Sequence, residues 1–355
     1  MEKKDLRAMD LAEMTALLQQ LKQPAFRAKQ IFNWVHQKQV QQISQMHNLG
    51  KQVLEQLEQQ CQLTVCNLER KQVSQDGTEK FLFALADGNY IECVLMRYRG
   101  DQSKQRNTLC ISSQVGCAMG CTFCATGQGG FVRNLTAGEI VSQVYAVNHS
   151  LAEEGDALPV GNVVFMGMGE PLLNLDNVLK AIGLLNDAHG QQIGIRRITV
   201  STCGIVPKLR ELAQKHLDVV LAVSLHAPND EQRSAVMPVN CQYPLEKLMA
   251  ACRAYQRQTH NRISFEYALI AGFNDQPLHV RQLQQLLQGL DCHLNLIPVN
   301  PVANTAQFSR PSKKQVAAFV QALQQAGLKA SVREEKGVDI DGACGQLRGK
   351  ALRGQ

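Results

Sequence analysis

VGCAMGCTFCATG, residues Val115 to Gly127, puts Cys117, Cys121 and Cys124 within one short loop and spaces them with Gly116, Gly120 and Gly127. Clustered cysteines with glycines for tight turns suit a loop wrapped around a metal cluster. A structural zinc site or an electron-carrying cluster normally takes four protein ligands, so one ligand is missing here. Thiolates suit iron-sulfur clusters and zinc alike, and a buried thiol group or a zinc loop borrowing a remote cysteine would also use such residues. The spacing leans to iron. Three thiolates on a four-iron cluster leave one iron open, which a catalytic site needs and a structural site avoids.

Outward from this loop, β-rich runs alternate with helical segments: TLCIS, NVVFMG, RITVST, VVLAVSL, ISFEYAL, HLNLIPV and KASVRE. Strand, helix, strand repeated so often implies right-handed crossovers and a parallel sheet, either open or curled toward a barrel. Ligands of such sheets sit at the carboxyl ends of the strands, so SSQVGC, GMGEP, STCG, SLHAPND and PVNP are expected to converge. Upstream, KFLFALADGNYIECVLMRY alternates on both sides of Asp87-Gly88, a strong hairpin signal, before the polar loop RGDQSKQRN. From Leu11 to about Gln60 the pattern is helical, with Ala28, Ile31, Phe32 and Val35 on one buried face and Lys29, Asn33 and His36 turned away. The expected organisation is a helical accessory domain over residues 1–62, a hairpin linker over 63–104, and an α/β domain over 105–355.

The chain has 355 residues, 45% of them hydrophobic, as expected of a globular enzyme, and carries no apolar run of membrane-spanning length. MEKKDLRAMDLAEM lacks the apolar core of a secretory signal, which predicts a cytoplasmic protein. Twelve cysteines in so long a chain favour thiols, metal ligands or catalytic sulfurs over disulfides. Cys61, Cys66, Cys241, Cys252 and Cys292 are expected to serve packing or surface. A net charge of +6 permits a polyanionic partner without demanding one.

The C-x3-C-x2-C loop after a first strand resembles the radical S-adenosylmethionine superfamily, whose cofactor fills the open iron with its amine and carboxylate. One strand later, MGMGEPLLN offers two glycines for close backbone approach and Glu170 as an acceptor for an ammonium group. GTEKFLF, QVGCAMGCTFCATG, FMGMGEPLLN, ITVSTCGIVP, SLHAPND, RISFEY, NLIPVNP and DIDGACGQLRG follow in order. Together, from about residue 75 to 350, they resemble the RlmN/Cfr family of radical-SAM RNA adenine methyltransferases. The resemblance implies a partial (β/α)6 barrel behind a small helical domain. It also implies a 4Fe-4S cluster on Cys117, Cys121 and Cys124, and S-adenosylmethionine held by Gly169, Glu170, Ser201, Ser224, Leu225, His226 and Asn300.

Cys344, in DIDGACGQL, matches the family's methyl-carrying cysteine. The implied reaction uses two S-adenosylmethionine molecules per turnover, one to methylate Cys344 and one to make a radical of that methyl, which then adds to adenine. Cys110 matches the cysteine that resolves the resulting protein-RNA adduct through a transient disulfide. Glu92, a lone carboxylate in an apolar strand, matches the general base. The implied substrates are adenine 2503 of 23S rRNA and adenine 37 of tRNAs, methylated at carbon 2. RYRGDQSKQR, Arg196-Arg197 and LRGKALRG could meet phosphate, and no RNA-binding aromatic platform is visible. A low-potential donor such as flavodoxin or ferredoxin is implied, as is a monomer without membrane contact. The alternatives are carbon-8 methylation of the same rRNA adenine, the antibiotic-resistance activity of the Cfr branch, and a non-catalytic zinc- or cluster-bearing RNA-binding protein.

Overall fold

The computed structural model describes residues 3–100, 105–300, 302 and 308–348. Ten strands form one sheet in strict chain order. They are β1 (Asn67–Val73), β2 (Glu79–Ala84), β3 (Tyr90–Tyr98), β4 (Arg106–Cys110), β5 (Val160–Phe165), β6 (Ile198–Thr202), β7 (Val220–Ser224), β8 (Ile263–Leu269), β9 (Cys292–Pro298) and β10 (Ala330–Val332). Neighbours from β1 to β4 are antiparallel, and those from β4 to β10 are parallel. The seven β-rich runs are therefore the seven parallel strands, and the Asp87-Gly88 hairpin joins β2 to β3. That hairpin continues the sheet, because β3 pairs with β4 from Val94↔Cys110 to Tyr98↔Arg106. The polar loop before β4 ends earlier than its composition predicts: Arg106 and Asn107 belong to the strand, and Asn107 is fully buried. Residues 101–104 of that stretch lie outside the described residues.

Six long helices, Ala137–Glu153, Leu175–Asn186, Val206–Gln214, Leu245–Thr259, Pro277–Leu287 and Lys313–Gln325, connect the parallel strands. Right-handed crossovers repeated in one direction keep all helices on one face and curl the sheet around the other, as in a partial barrel. Burial follows this division. Along β6, Ile198, Val200 and Thr202 are buried, while Thr199 and Ser201 on the alternate face are half-buried. Along β9, Cys292, Leu294 and Leu296 are buried against half-buried His293, Asn295 and Ile297. The inner face is the wall of an accessible cavity.

The first crossover helix begins with a capping box: Thr136 Oγ1 accepts from the Glu139 amide at 3.1 Å and Glu139 Oε2 from the Thr136 amide at 2.9 Å. Such a cap contributes about 1 kcal/mol. Ile140, Val141, Val144, Tyr145 and Val147 of this helix are all fully buried; the N-terminal region, with helices Leu11–Gln20, Phe26–Phe32 and Lys51–Gln60, packs on it through the turn Leu6–Ala8. Arg7 donates to Ser142 Oγ at 3.3 Å and to the Val40 carbonyl at 2.7 Å, and stacks on Tyr145. Ala28, Ile31, Phe32 and Val35 are buried as their spacing predicts, but His36 is not turned away. It is fully buried, with Nδ1 2.8 Å from the Tyr145 hydroxyl and Nε2 3.2 Å from the Met9 carbonyl. The reason is a π-helical turn over Asn33–Gln37, which widens the helix and rotates the residues within it away from the ideal repeat. Among the described residues no helix is long and apolar enough to cross a membrane.

Candidate active site

Side chains of paired residues project from the same face of a sheet, so register alone fixes which groups meet. On the inner face Val94 lies opposite Cys110 and Cys110 opposite Val164. Ser201 lies opposite Ala222, Ser224 opposite Glu266, and Glu266 opposite Asn295. Glu92, two residues from Val94, shares that face.

Two adjoining cavities open at the carboxyl ends of the strands. The larger, about 170 Å³, is lined by Cys117, Cys121, Cys124, Gly169, Glu170, Ser201, Ser224, His226 and Asn300, together with Cys344. The smaller, about 70 Å³, is lined by Cys110, Thr126 and Met96, and shares Cys124, Asn300, Arg333 and Cys344 with its neighbour. Cys344 thus borders both. Two sequence-predicted residues are not on these walls. Leu225 is fully buried and takes part through its backbone, its amide donating to the Glu266 carbonyl at 2.9 Å and its carbonyl accepting from Arg233 Nε at 3.1 Å. Glu92 is buried and contacts the segment that carries Cys344, its Oε2 accepting from the Arg348 amide at 2.6 Å. Pro301 of PVNP lies outside the described residues.

The cysteine loop is shaped by glycine. Gly116 has φ +75°, and a Cβ there would stand 2.0 Å from the Gly130 carbonyl oxygen, while the next amide, of Cys117, donates to that oxygen at 2.7 Å. Burial pushes the Cys117 thiol up to about 12 and raises Cys121 as well, so a multiply charged cation is what would favour their thiolates. No three His, Cys, Asp or Glu side chains among the described residues converge as on a single metal ion. Three thiols spread around one cavity instead fit a cluster whose irons each take one sulfur.

The GMGEP turn lies directly on the chain leaving β4. Gly167 leaves no room for a Cβ, which would meet the Ile111 carbonyl oxygen at 2.6 Å, and Gly169, at φ +103°, would meet Gln114 Cβ at 2.5 Å. Glu170 is buried; Oε1 accepts from the Leu172 amide at 3.0 Å and Oε2 from the Cys203 amide at 2.8 Å. Burial raises its carboxyl, and these hydrogen bonds oppose the rise. Each carboxylate oxygen has a second lone-pair direction, so acceptor capacity toward an ammonium group remains.

His226 holds φ +58°, in the left-handed region, and its Nδ1 accepts from the Ala268 amide at 2.9 Å. That bond places the ring proton on Nε2, and burial beside Arg233 pushes the imidazole down to about 3, so it is neutral. Arg233 is fully buried and binds the Leu225, Ser224 and Cys203 carbonyls and Asn240 Oδ1, locking two strand ends together. Sequence reasoning missed this residue, and also Arg333 and Glu266, which line the larger cavity. Arg333 Nη1 stands 3.7 Å from Glu266 Oε2 and 3.0 Å from Met166 Sδ, and its charge is favoured by Cys344 first and then, against the effect of burial, by Glu266 and Cys110. A lone carboxylate in the apolar run ISFEYAL was a usable signal for Glu266.

The Cys344 segment is tied down on all sides. Asn300 Nδ2 donates to the Cys344 carbonyl at 3.3 Å, the Ala125 amide to Gly345 at 2.7 Å, and Thr126 Oγ1 to Leu347 at 2.6 Å. Cys344 is exposed, and it stands close enough to Cys110 to act on it: burial first, and Cys344 next, push the Cys110 thiol up to about 12. Both are free thiols. Of the basic groups, Arg97 and Arg99 are engaged by Asp156 and the exposed Arg196 pairs with Asp218 at 3.4 Å, while Arg197 is exposed as well. Lys104, Lys350 and Arg353 lie outside the described residues.

Residues 111–283 match the Radical SAM superfamily and residues 4–63 match the Ribosomal RNA large subunit methyltransferase N-terminal domain. A protein of Desulfitobacterium hafniense named "Probable dual-specificity RNA methyltransferase RlmN" is 49% identical over 349 residues, covering 98% of this chain and 97% of its own. A Staphylococcus saprophyticus protein of the same name is 46% identical, covering 98% and 94%. The crystal structure of a radical SAM methyltransferase from Sphaerobacter thermophilus superposes with a TM-score of 0.92 at 44% identity, covering 98% of this chain and 100% of that one.

Proposed function

The chain belongs to the RlmN family of radical-SAM RNA methyltransferases, and from that premise we propose that it methylates carbon 2 of adenine 2503 in 23S rRNA and adenine 37 in tRNAs. Cys344 is the observation that carries the reading: one exposed thiol borders both the cavity of the three loop cysteines and the lobe that contains Cys110. Cys117, Cys121 and Cys124 hold the cluster. Gly169, Glu170, Ser201, Ser224, His226 and Asn300 embrace S-adenosylmethionine, with Leu225 acting through its backbone. When bound, the cluster and two cofactor molecules supply the methyl group and the radical chemistry that activates it.

The protein's own groups do the rest. The Cys344 thiolate takes the methyl by displacement and later presents it to the ring; the methyl gives up one hydrogen atom, and its addition leaves one odd electron, both taken up by the bound cofactor and cluster, so that a methylene carbon joins the base to the Cys344 sulfur. Glu92 accepts the ring proton. The Cys110 thiolate attacks the Cys344 sulfur; the sulfur-carbon bond breaks with its electron pair on carbon, which takes up a proton, and a Cys110–Cys344 disulfide remains. The base enters from the barrel mouth, unstacked from its neighbours. The reading includes a monomeric, cytoplasmic enzyme served by a low-potential donor such as flavodoxin or ferredoxin.

Methylation of a 23S rRNA fragment and of a tRNA by the anaerobically reconstituted enzyme tests this, with the product adenosine mapped by mass spectrometry. Methyl on carbon 2 of both is the expected result. Methyl on carbon 8, or none with a zinc-bound colourless protein, contradicts it.

A further inference from the structure

Lys80 lies in the apolar strand EKFLFA and is only 8% exposed. An ammonium group so placed is costly unless charge and hydrogen bonds compensate it. Its Nζ stands 3.5 Å from Glu92 Oε1 and donates to the Asp341 carbonyl at 3.3 Å. The other Glu92 oxygen, Oε2, accepts from the Arg348 amide at 2.6 Å. Asp341 and Arg348 lie on either side of Cys344 in the chain. The Lys80–Glu92 pair therefore closes a ring of polar contacts around the Cys344 segment.

The turn that joins β1 to β2, just before Lys80, grips that segment further back. Asp76 Oδ2 accepts from the Gly337 amide at 3.0 Å, and the Asp339 carboxylate accepts from Ser74 Oγ and from the Gln75 amide at 3.1 Å. Gly337, at φ +66°, is in close contact with Thr78: a Cβ would meet Thr78 Cγ2 at 2.9 Å. These contacts already fix the fold of the segment. A buried ion pair is a weak stabiliser compared with an apolar side chain of similar volume, so stability alone does not account for Lys80.

We propose that Lys80 is a positioning residue for adduct release, holding the Glu92 carboxylate and the Cys344 segment as one unit. It rests on Glu92 as proton acceptor and Cys344 as carrier. With the base joined to the Cys344 sulfur through the methyl-derived carbon, the ring proton passes to a Glu92 oxygen and its bonding pair stays on the ring; Lys80 takes no part in the transfer itself. It fixes the distance over which that transfer occurs, and a small misplacement of a reacting group is expensive in rate.

The test compares Lys80→Met, Lys80→Arg and Glu92→Gln in the cluster-loaded full chain, following S-methylation of Cys344 by intact mass and decay of the protein-RNA adduct on denaturing gels. Lys80→Met should be methylated on Cys344 to the normal extent and resolve the adduct about 10- to 100-fold more slowly, the scale of one charge-assisted hydrogen bond. Lys80→Arg should recover most of that rate. Should Lys80→Met not fold, Lys80→Gln, which keeps a donor toward Asp341, carries the same expectation. Normal adduct decay in Lys80→Met beside a stalled Glu92→Gln overturns the proposal alone. Normal decay in Glu92→Gln overturns the proton-acceptor reading and the proposal with it. Loss of Cys344 methylation in both Lys80→Met and Lys80→Arg is the result of a merely structural role and also overturns it.

Discussion

The Ala125 amide donates to the Gly345 carbonyl at 2.7 Å. Each residue directly follows a key cysteine, Cys124 in the loop and Cys344 near the chain end, so this bond couples two sites far apart in sequence. Because Gly345 has φ +84° and a Cβ there would stand 3.3 Å from the Phe123 carbonyl oxygen, the two segments touch backbone to backbone. Cys344 is held at the edge of the cavity of the three loop cysteines by geometry independent of its own thiol.

It follows that Cys344→Ala should leave the loop intact. The variant should keep its iron and cleave S-adenosylmethionine under reductant, yet transfer no methyl to RNA. Cys110→Ala should methylate Cys344 and then accumulate a protein-RNA adduct, read on a denaturing gel. RNA methylation by Cys344→Ala would refute the carrier role.

Gly116→Ala tests the loop itself. A Cβ 2.0 Å from the Gly130 oxygen at φ +75° cannot be accommodated without moving backbone, at a local cost of about 1–3 kcal/mol. Iron bound per chain after anaerobic reconstitution should fall sharply, while far-ultraviolet circular dichroism stays close to that of the unsubstituted protein. Full iron loading would show that the loop does not need this turn.

For Glu170→Gln, the amide cannot accept from both the Leu172 and the Cys203 N–H groups, because one side-chain position becomes a donor. Opposing donors in a buried site should cost about 1–3 kcal/mol of stability and weaken S-adenosylmethionine binding. Thermal denaturation and equilibrium dialysis measure the two effects. Unchanged cofactor affinity would exclude Glu170 from the cofactor site.

The Cys110 thiol, pushed up to about 12 by burial and then by Cys344, is almost wholly protonated at neutral pH. Adduct decay in a pH-jump experiment should therefore quicken by roughly tenfold per unit from pH 7 to 9, following the thiolate fraction. The same shift has a defined sign for stability. A folded-state value above the unfolded value of about 9 leaves stability whole below pH 9 and removes it as pH climbs toward 12. A pH-independent decay would assign release to another nucleophile.

Much of this molecule was legible in sequence because its informative features are local. The cysteine loop, the GMGEP turn and the Asp87-Gly88 hairpin each carry their chemistry within a few residues, and alternation along β6 and β9 marks strands directly. What escaped depends on contacts between distant segments. His36 is polar at a position where a regular helix faces solvent, and only the π-helical turn and the partner Tyr145 explain its burial. Nothing in the local sequence sets Arg233 and Arg333 apart from other arginines; Cys203, Ser224 and Glu266, which surround them, come from other segments of the chain. The hairpin read as a linker because nothing in its own pattern shows that β3 pairs with β4, or that Asp76 and Lys80 reach the Cys344 segment.

The most direct test supplies S-adenosylmethionine with a fully deuterated methyl group and examines the methylated adenosine. A methyl carried by Cys344 and activated there as a radical carbon gives up one deuterium to the cleaved cofactor and takes one proton from solvent. The account predicts a product with two deuterons on a carbon attached at position 2 of adenine. A product that keeps all three deuterons would mean direct transfer from the sulfonium, and would contradict it.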